Sequence, residues 1–117
     1  MNDLDDLVDS WLAVPDVAEL LGVDPGRVRR LLQDRALIGI RRGEPRTLQV
    51  PAALLQDGEP LPELRGTLTV LTDAGYTDDE AVRWLFSPDD SLPGTPVAAM
   101  RAGRRAEVRR RAQALGF

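Results

Sequence analysis

The sequence predicts a mainly α fold with one small β-hairpin, followed by a helical C-terminal lobe. Three observations lead there. Apolar residues recur at helical spacing from Leu4 to Leu32 and again from Leu64 onward. Between them, ALIGI and TLQVP alternate or carry β-branched residues, with Gly43 and Pro45 in the charged stretch that separates them. Charge falls in four consecutive blocks of alternating sign.

The composition excludes much chemistry. A chain of 117 residues makes one compact domain or two small lobes sharing a core. It buries roughly two-thirds of its unfolded surface without needing a covalent staple. Hydrophobic residues at 43% and charged residues at 29% are a globular balance. Cysteine and histidine are absent, and all 15 basic residues are arginine. Thiol and imidazole catalysis, thiolate or imidazole metal sites and Schiff-base chemistry are thereby excluded. Carboxylates, hydroxyls, one tyrosine and arginine remain, in no paired-acid arrangement, so we expect no enzyme, no catalytic residues, no metal and no cofactor. Asp78, Asp79, Asp89 and Asp90 fit no calcium-loop spacing. No stretch approaches the roughly 18 apolar residues of a membrane span. MNDLDDLVDS is acidic and lacks the basic start of a signal peptide. The expectation is a cytoplasmic protein at the nucleoid, with no membrane partner.

Residues 1–24 carry seven acids and no arginine, whereas residues 25–50 carry seven arginines against Asp34 and Glu44. Residues 51–98 are acidic again, and residues 99–117 carry six arginines against Glu107. The net charge of −4 conceals this pattern. Screening confines each block's field to about 8–10 Å, so a local basic face survives in an acidic protein. For the last block, internal neutralisation by acids is the expected arrangement.

Leu4, Leu7, Val8, Trp11 and Leu12 form one apolar stripe on a first helix. Alternatively that helix stops before Trp11, and Trp11-Leu12 enters the next unit as an extended anchor. In VPDVAELLGV, Pro15 suits a helix start, Val17, Leu20 and Leu21 form the buried face, and Gly22 is the left-handed residue after the end. Asp24 caps a second helix beginning at Pro25. Its inner stripe is Val28, Leu31 and Leu32. Arg27, Arg30 and Gln33 face outward, with Arg29 at the flank. Two short helices meeting at a glycine turn, the second with an arginine-rich outer face, form a helix-turn-helix layout. The hairpin that follows carries Arg41, Arg42 and Arg46 at its tip and reads as a wing.

Residues 11–55, from WLAVPDVAELLGV through the arginine-bearing helix and basic hairpin to VPAALL, resemble the winged helix-turn-helix of the excisionase and MerR-type DNA-binding group. The resemblance implies that Arg27, Arg29 and Arg30 face DNA and that the wing reaches the backbone or minor groove. Gly26 departs from the serine or threonine usual near the start of the recognition helix.

QDGEPLPELRG is a polar joint, dividing the chain at 1–57 and 58–117. A helix through Leu64, Leu68, Leu71 and Ala74 ends at Gly75. Thr77 and Glu80 stand at capping-box spacing before a helix that buries Val82, Leu85 and Phe86, with Trp84 at its border. Pro96 starts a third helix, and Gly103 interrupts before a fourth with Val108, Ala112 and Leu115 inward. Arg101, Arg105 and Arg109 recur as an outer stripe. Trp11 and Trp84 are expected as anchors of the core or of the lobe interface. Through LTVLTDAGYTDDEAVRWLFSPDDSL and VRRRAQAL, this half resembles the C-terminal domain of small actinobacterial winged-helix DNA-binding proteins of the mycobacterial kinase-substrate regulator type. More distantly, its order of elements is similar to the toxin-binding domain of Xre/MbcA/ParS-type antitoxins.

An arginine run is ordinarily a solvated helix face. Here it lies in the recognition position beside a basic hairpin. The expectation is a binder of double-stranded DNA, as a transcriptional regulator or nucleoid-associated factor. The helix at 25–34 would enter the major groove, with Arg27 and Arg30 as the best candidates for base edges and Gln33 a further DNA-binding residue. Arg29 and the wing residues Arg41, Arg42 and Arg46, within 41–46, would hold phosphates or the minor groove. Arg105 and Arg109 are secondary phosphate candidates, with pairing to Asp3, Asp5 or other acids as the competing expectation. About five phosphate contacts imply a log–log salt slope near −4 to −5. The alternative is an interaction adaptor, in which the C-terminal lobe docks a protein partner or a second copy.

Overall fold

A computed structural model describes residues 3–92 and 94–115. Helix α1 spans Asp3–Leu7, with Leu4 buried and Val8 buried just beyond its end. The helix stops there, and Trp11–Ala13 is an extended strand, β1. The alternative reading of Trp11 and Leu12 is the one that holds. Their backbone pairs with a later strand, which a longer first helix would forfeit.

Helix α2 (Val14–Leu21) has Pro15 in its first turn and ends on Gly22 at φ 70°. Glycine takes that left-handed conformation without a Cβ penalty. The buried face is Val14, Val17 and Ala18, with Leu21 packed at its edge. Leu20, expected inside, is 57% exposed because it lies off that stripe. Helix α3 (Pro25–Gln33) starts where the Asp24 carboxylate accepts from the Arg27 N–H at 2.8 Å. Val28 is fully buried, while Leu31 and Leu32 are half-buried.

The strand expected from Ala36 begins only at Ile40. Residues 36–39 run as a packed loop with Leu37 and Ile38 buried. Gly39 lies against the neighbouring strand: a Cβ there would come within 3.1 Å of the Leu48 side chain and 3.2 Å of the Gln49 carbonyl. Gly39→Ala is therefore expected to destabilise by about 1–3 kcal/mol through overpacking. Urea unfolding checks this, and an unchanged midpoint would refute it.

Strands β2 (Ile40–Arg42) and β3 (Thr47–Pro51) form the wing hairpin, with Ile40 opposite Gln49 and Arg42 opposite Thr47. β1 pairs antiparallel with the other edge of β3, Leu12 opposite Val50, so the sheet order is β1-β3-β2. After a 3-10 turn at Ala52–Leu54, the polar joint forms a second small hairpin, β4 (Leu55–Gln56) with β5 (Glu59–Pro60). Its turn places Asp57 at φ 56° and Gly58 at φ 74°. Positive φ at both central residues is what an Asp-Gly hairpin turn favours.

Four helices follow: α4 (Leu64–Asp73), α5 (Asp78–Leu85), α6 (Pro96–Arg101) and α7 (Arg105–Ala114). The capping box forms in full, with Thr77 Oγ1 accepting from the Glu80 N–H and Glu80 Oε1 accepting from the Thr77 N–H. These bonds hold the Glu80 carboxyl below its ordinary range. Asp89 is lowered likewise, by the hydroxyl and N–H of Ser91 and by Arg111. Val82, Leu85 and Phe86 are buried and Trp84 is half-buried, as its spacing indicates. Gly103, at φ 89°, separates α6 from α7 and breaks the expected Arg101–Arg105–Arg109 stripe. Arg101 instead donates from Nη1 to the carbonyls of Ala53 and Leu55 at 2.9 and 2.7 Å.

α5 packs on α1, and α7 packs on α4 and α6. The buried side chains form one continuous cluster, from Leu4 and Val28 to Leu85 and Val108.

Candidate nucleic-acid interface

Burying Val28 orients α3. With that residue inward, Arg27, Arg29, Arg30 and Gln33 are all exposed. Arg29 lies on the side of α3 nearest the wing. There it meets Arg41 and Arg46 across a groove of about 580 Å³ whose floor includes Ala13, Val14 and Pro15 at the start of α2. Arg46 Nη2 donates to the Arg41 carbonyl at 3.0 Å, which ties the two sides of the wing loop together.

Arg42 does not line this groove, although it borders a second recess at the wing with Asp5, Arg41 and Arg46. Successive strand residues point to opposite faces, so Arg41 and Arg42 separate. Arg41 is exposed. The Arg42 guanidinium lies 4.3 Å from the centroid of the Trp11 ring, pairs with Asp5, and leaves the side chain 21% exposed. From its place at the end of β2, Arg42 thus braces the wing against β1 and α1. Asp5 as its partner, 37 positions away, had no local signal in the sequence. Trp11 anchors the fold as expected.

Arg35 is likewise withdrawn. It donates to Asp78 Oδ1 at 2.9 Å and to Thr72 Oγ1 at 3.1 Å. That leaves five arginines of the 25–50 block, Arg27, Arg29, Arg30, Arg41 and Arg46, with no carboxylate within 4.0 Å among the described residues.

The family model described as DNA-binding protein Rv2175c, wHTH domain, matches residues 2–55. The model described as the Rv2175c C-terminal domain of unknown function matches residues 61–116. DNA-binding protein Rv2175c of Mycobacterium tuberculosis (strain ATCC 25618 / H37Rv) is 38% identical over 117 aligned positions, covering 89% of this chain and 79% of the relative. The chain belongs to the Rv2175c family. The NMR structure of Rv2175c superposes with a TM-score of 0.82 at 36% identity, covering 92% of this chain and 82% of that one. The Rv2175c family architecture, a winged helix-turn-helix followed by a helical C-terminal lobe, is therefore the fold described above.

The second basic block of this Rv2175c-family chain is arranged differently from the first. Arg109 pairs with Glu63 at 3.2 Å, Arg111 with Asp89 at 3.5 Å, and Arg104 with Glu107 at 3.7 Å. Arg101 is held by backbone carbonyls. Arg105 is exposed and lies in no ion pair among the described residues. The acids that meet this block are local to the C-terminal lobe. Asp5 is engaged by Arg42, and the Asp3 side chain lies outside the described residues.

Proposed function

We propose that this chain is a non-catalytic protein that binds double-stranded DNA, as a transcriptional regulator or nucleoid-associated factor. In this reading residues 1–57 contact the duplex and residues 58–117 support them. The observation that carries it is the unequal neutralisation of the two basic blocks. The C-terminal block spends most of its arginines on neighbouring acids and carbonyls, whereas the helix and wing keep five cations unpaired. Unpaired and exposed on one face, these five cations are available to an anion despite the chain's excess of acids.

Arg27, Arg30 and Gln33 take the base edges of the major groove. Arg29, Arg41 and Arg46 hold phosphates or the adjoining minor groove. Arg42 steadies the wing, and Arg105 is the remaining candidate for a flanking phosphate. A single winged helix reads few bases, so paired sites or self-association through the C-terminal lobe supply specificity. No helix among the described residues is long and apolar enough to cross a membrane, and we place the protein at the nucleoid.

Fluorescence anisotropy with a random duplex over a salt series tests the reading. Three or four phosphate-facing arginines predict a log–log slope between about −2.7 and −3.6. Absence of binding at about 50 mM salt would overturn it and favour the adaptor alternative.

A further inference from the structure

The exit of α3 is fastened to the C-terminal lobe by one side chain. Asp34 closes the helix, and Arg35 follows at φ 63°, a left-handed conformation uncommon for a residue with a Cβ. The Ala36 N–H donates back to the Leu31 carbonyl at 2.9 Å, completing the helix end. From this turn the Arg35 guanidinium reaches Asp78, the first residue of α5, and Thr72, in the last turn of α4. One planar fork thus joins the end of α3 to the α4–α5 junction, 37 and 43 positions further along the chain. Such backbone strain persists where the surroundings hold it in place.

We propose that Arg35 is a positioning residue for DNA recognition, which sets α3 against the C-terminal lobe through Asp78 and Thr72 without touching the duplex. This rests on the DNA-binding reading of α3. It gives the C-terminal lobe a part in recognition although it contributes no base contact. With the Arg35 side chain 31% exposed and that of Asp78 54% exposed, the pair is partly solvated, and its effect is modest.

The experiment uses the full chain and one duplex, read by anisotropy over a salt series at a temperature where circular dichroism shows every variant folded. Arg35→Gly removes the fork and keeps the turn, because glycine adopts positive φ freely. Asp78→Asn removes the charge that the fork holds. Each single variant is expected to weaken binding by about two- to fivefold, and the double variant no further than the weaker single. The salt slope stays at the wild-type value, because no phosphate contact is lost. The direct-contact alternative predicts the reverse. There Arg35→Gly lowers the magnitude of the slope by about one, and Asp78→Asn binds as well as wild type or better. Either of those results, or additive losses, overturns the proposal. Wild-type protein that binds no duplex at all overturns the reading beneath it, and a bound wild type with unaffected variants overturns the positioning role alone.

Discussion

Arg30→Ala is expected to weaken binding to a selected duplex by about 1–3 kcal/mol, or about 5- to 150-fold, while affecting random duplex less. Arg30 stands in the last turn of α3, exposed, with no carboxylate within 4.0 Å among the described residues. Truncation therefore relieves no internal pair and leaves no buried partner orphaned. The loss is that of a fork placed to donate two parallel bonds to guanine. Arg41→Ala gives the contrasting result. It weakens selected and random duplexes alike and lowers the magnitude of the salt slope by about one. Selecting bound genomic fragments supplies the specific duplex, and a titration of each variant against both duplexes separates the two patterns. An Arg30→Ala protein that binds the selected duplex as tightly as wild type would remove Arg30 from the site.

Leu85→Ala is expected to cost about 2–5 kcal/mol of stability and to lower the melting temperature by on the order of 10 °C. Leu85 is fully buried on α5, the helix that packs against α1. The cavity left there would sit within a cluster continuous with Val28 of α3. We therefore expect one unfolding transition, with duplex binding lost in step with it. Two separated transitions in calorimetry, or a wing and α3 that bind undiminished after the C-terminal lobe has melted, would show that the lobes are independent.

Much of this was legible locally. Caps and turns act over three or four residues, so Asp24, the Thr77–Glu80 box and Gly22 declared their elements in the sequence. The outward set on α3 followed from the periodicity that turns Val28 inward. What could not be read depends on pairing across distance. Trp11 and Leu12 fit a helix stripe as well as a strand, and the β3 ladder decides between them. Residues 36–39 look like a strand by composition, yet the helix exit and the closeness of Gly39 to Leu48 keep them out of the sheet. The polar joint did contain an Asp-Gly turn signal, obscured by the two prolines, Pro60 and Pro62, that follow it. At the candidate site, Arg35 and Arg42 are indistinguishable by residue type from their unpaired neighbours. Only the fold brings Asp78 and Asp5 to them, and so divides seven like charges into those held inside and those left for an anion.

Because β3 is the middle strand, the wing's long strand is shielded along both sides. Its outer neighbour, β1, comes from residues that precede the helix-turn-helix. A shortened protein beginning at α2 would retain every arginine named above and still bare the backbone edge of β3 from Gln49 to Pro51 that β1 covers. Unpaired strand margins of that kind recruit other chains. Truncation of this chain therefore keeps that margin covered only where Trp11–Ala13 is retained, and α1 with it, since Asp5 of α1 holds Arg42.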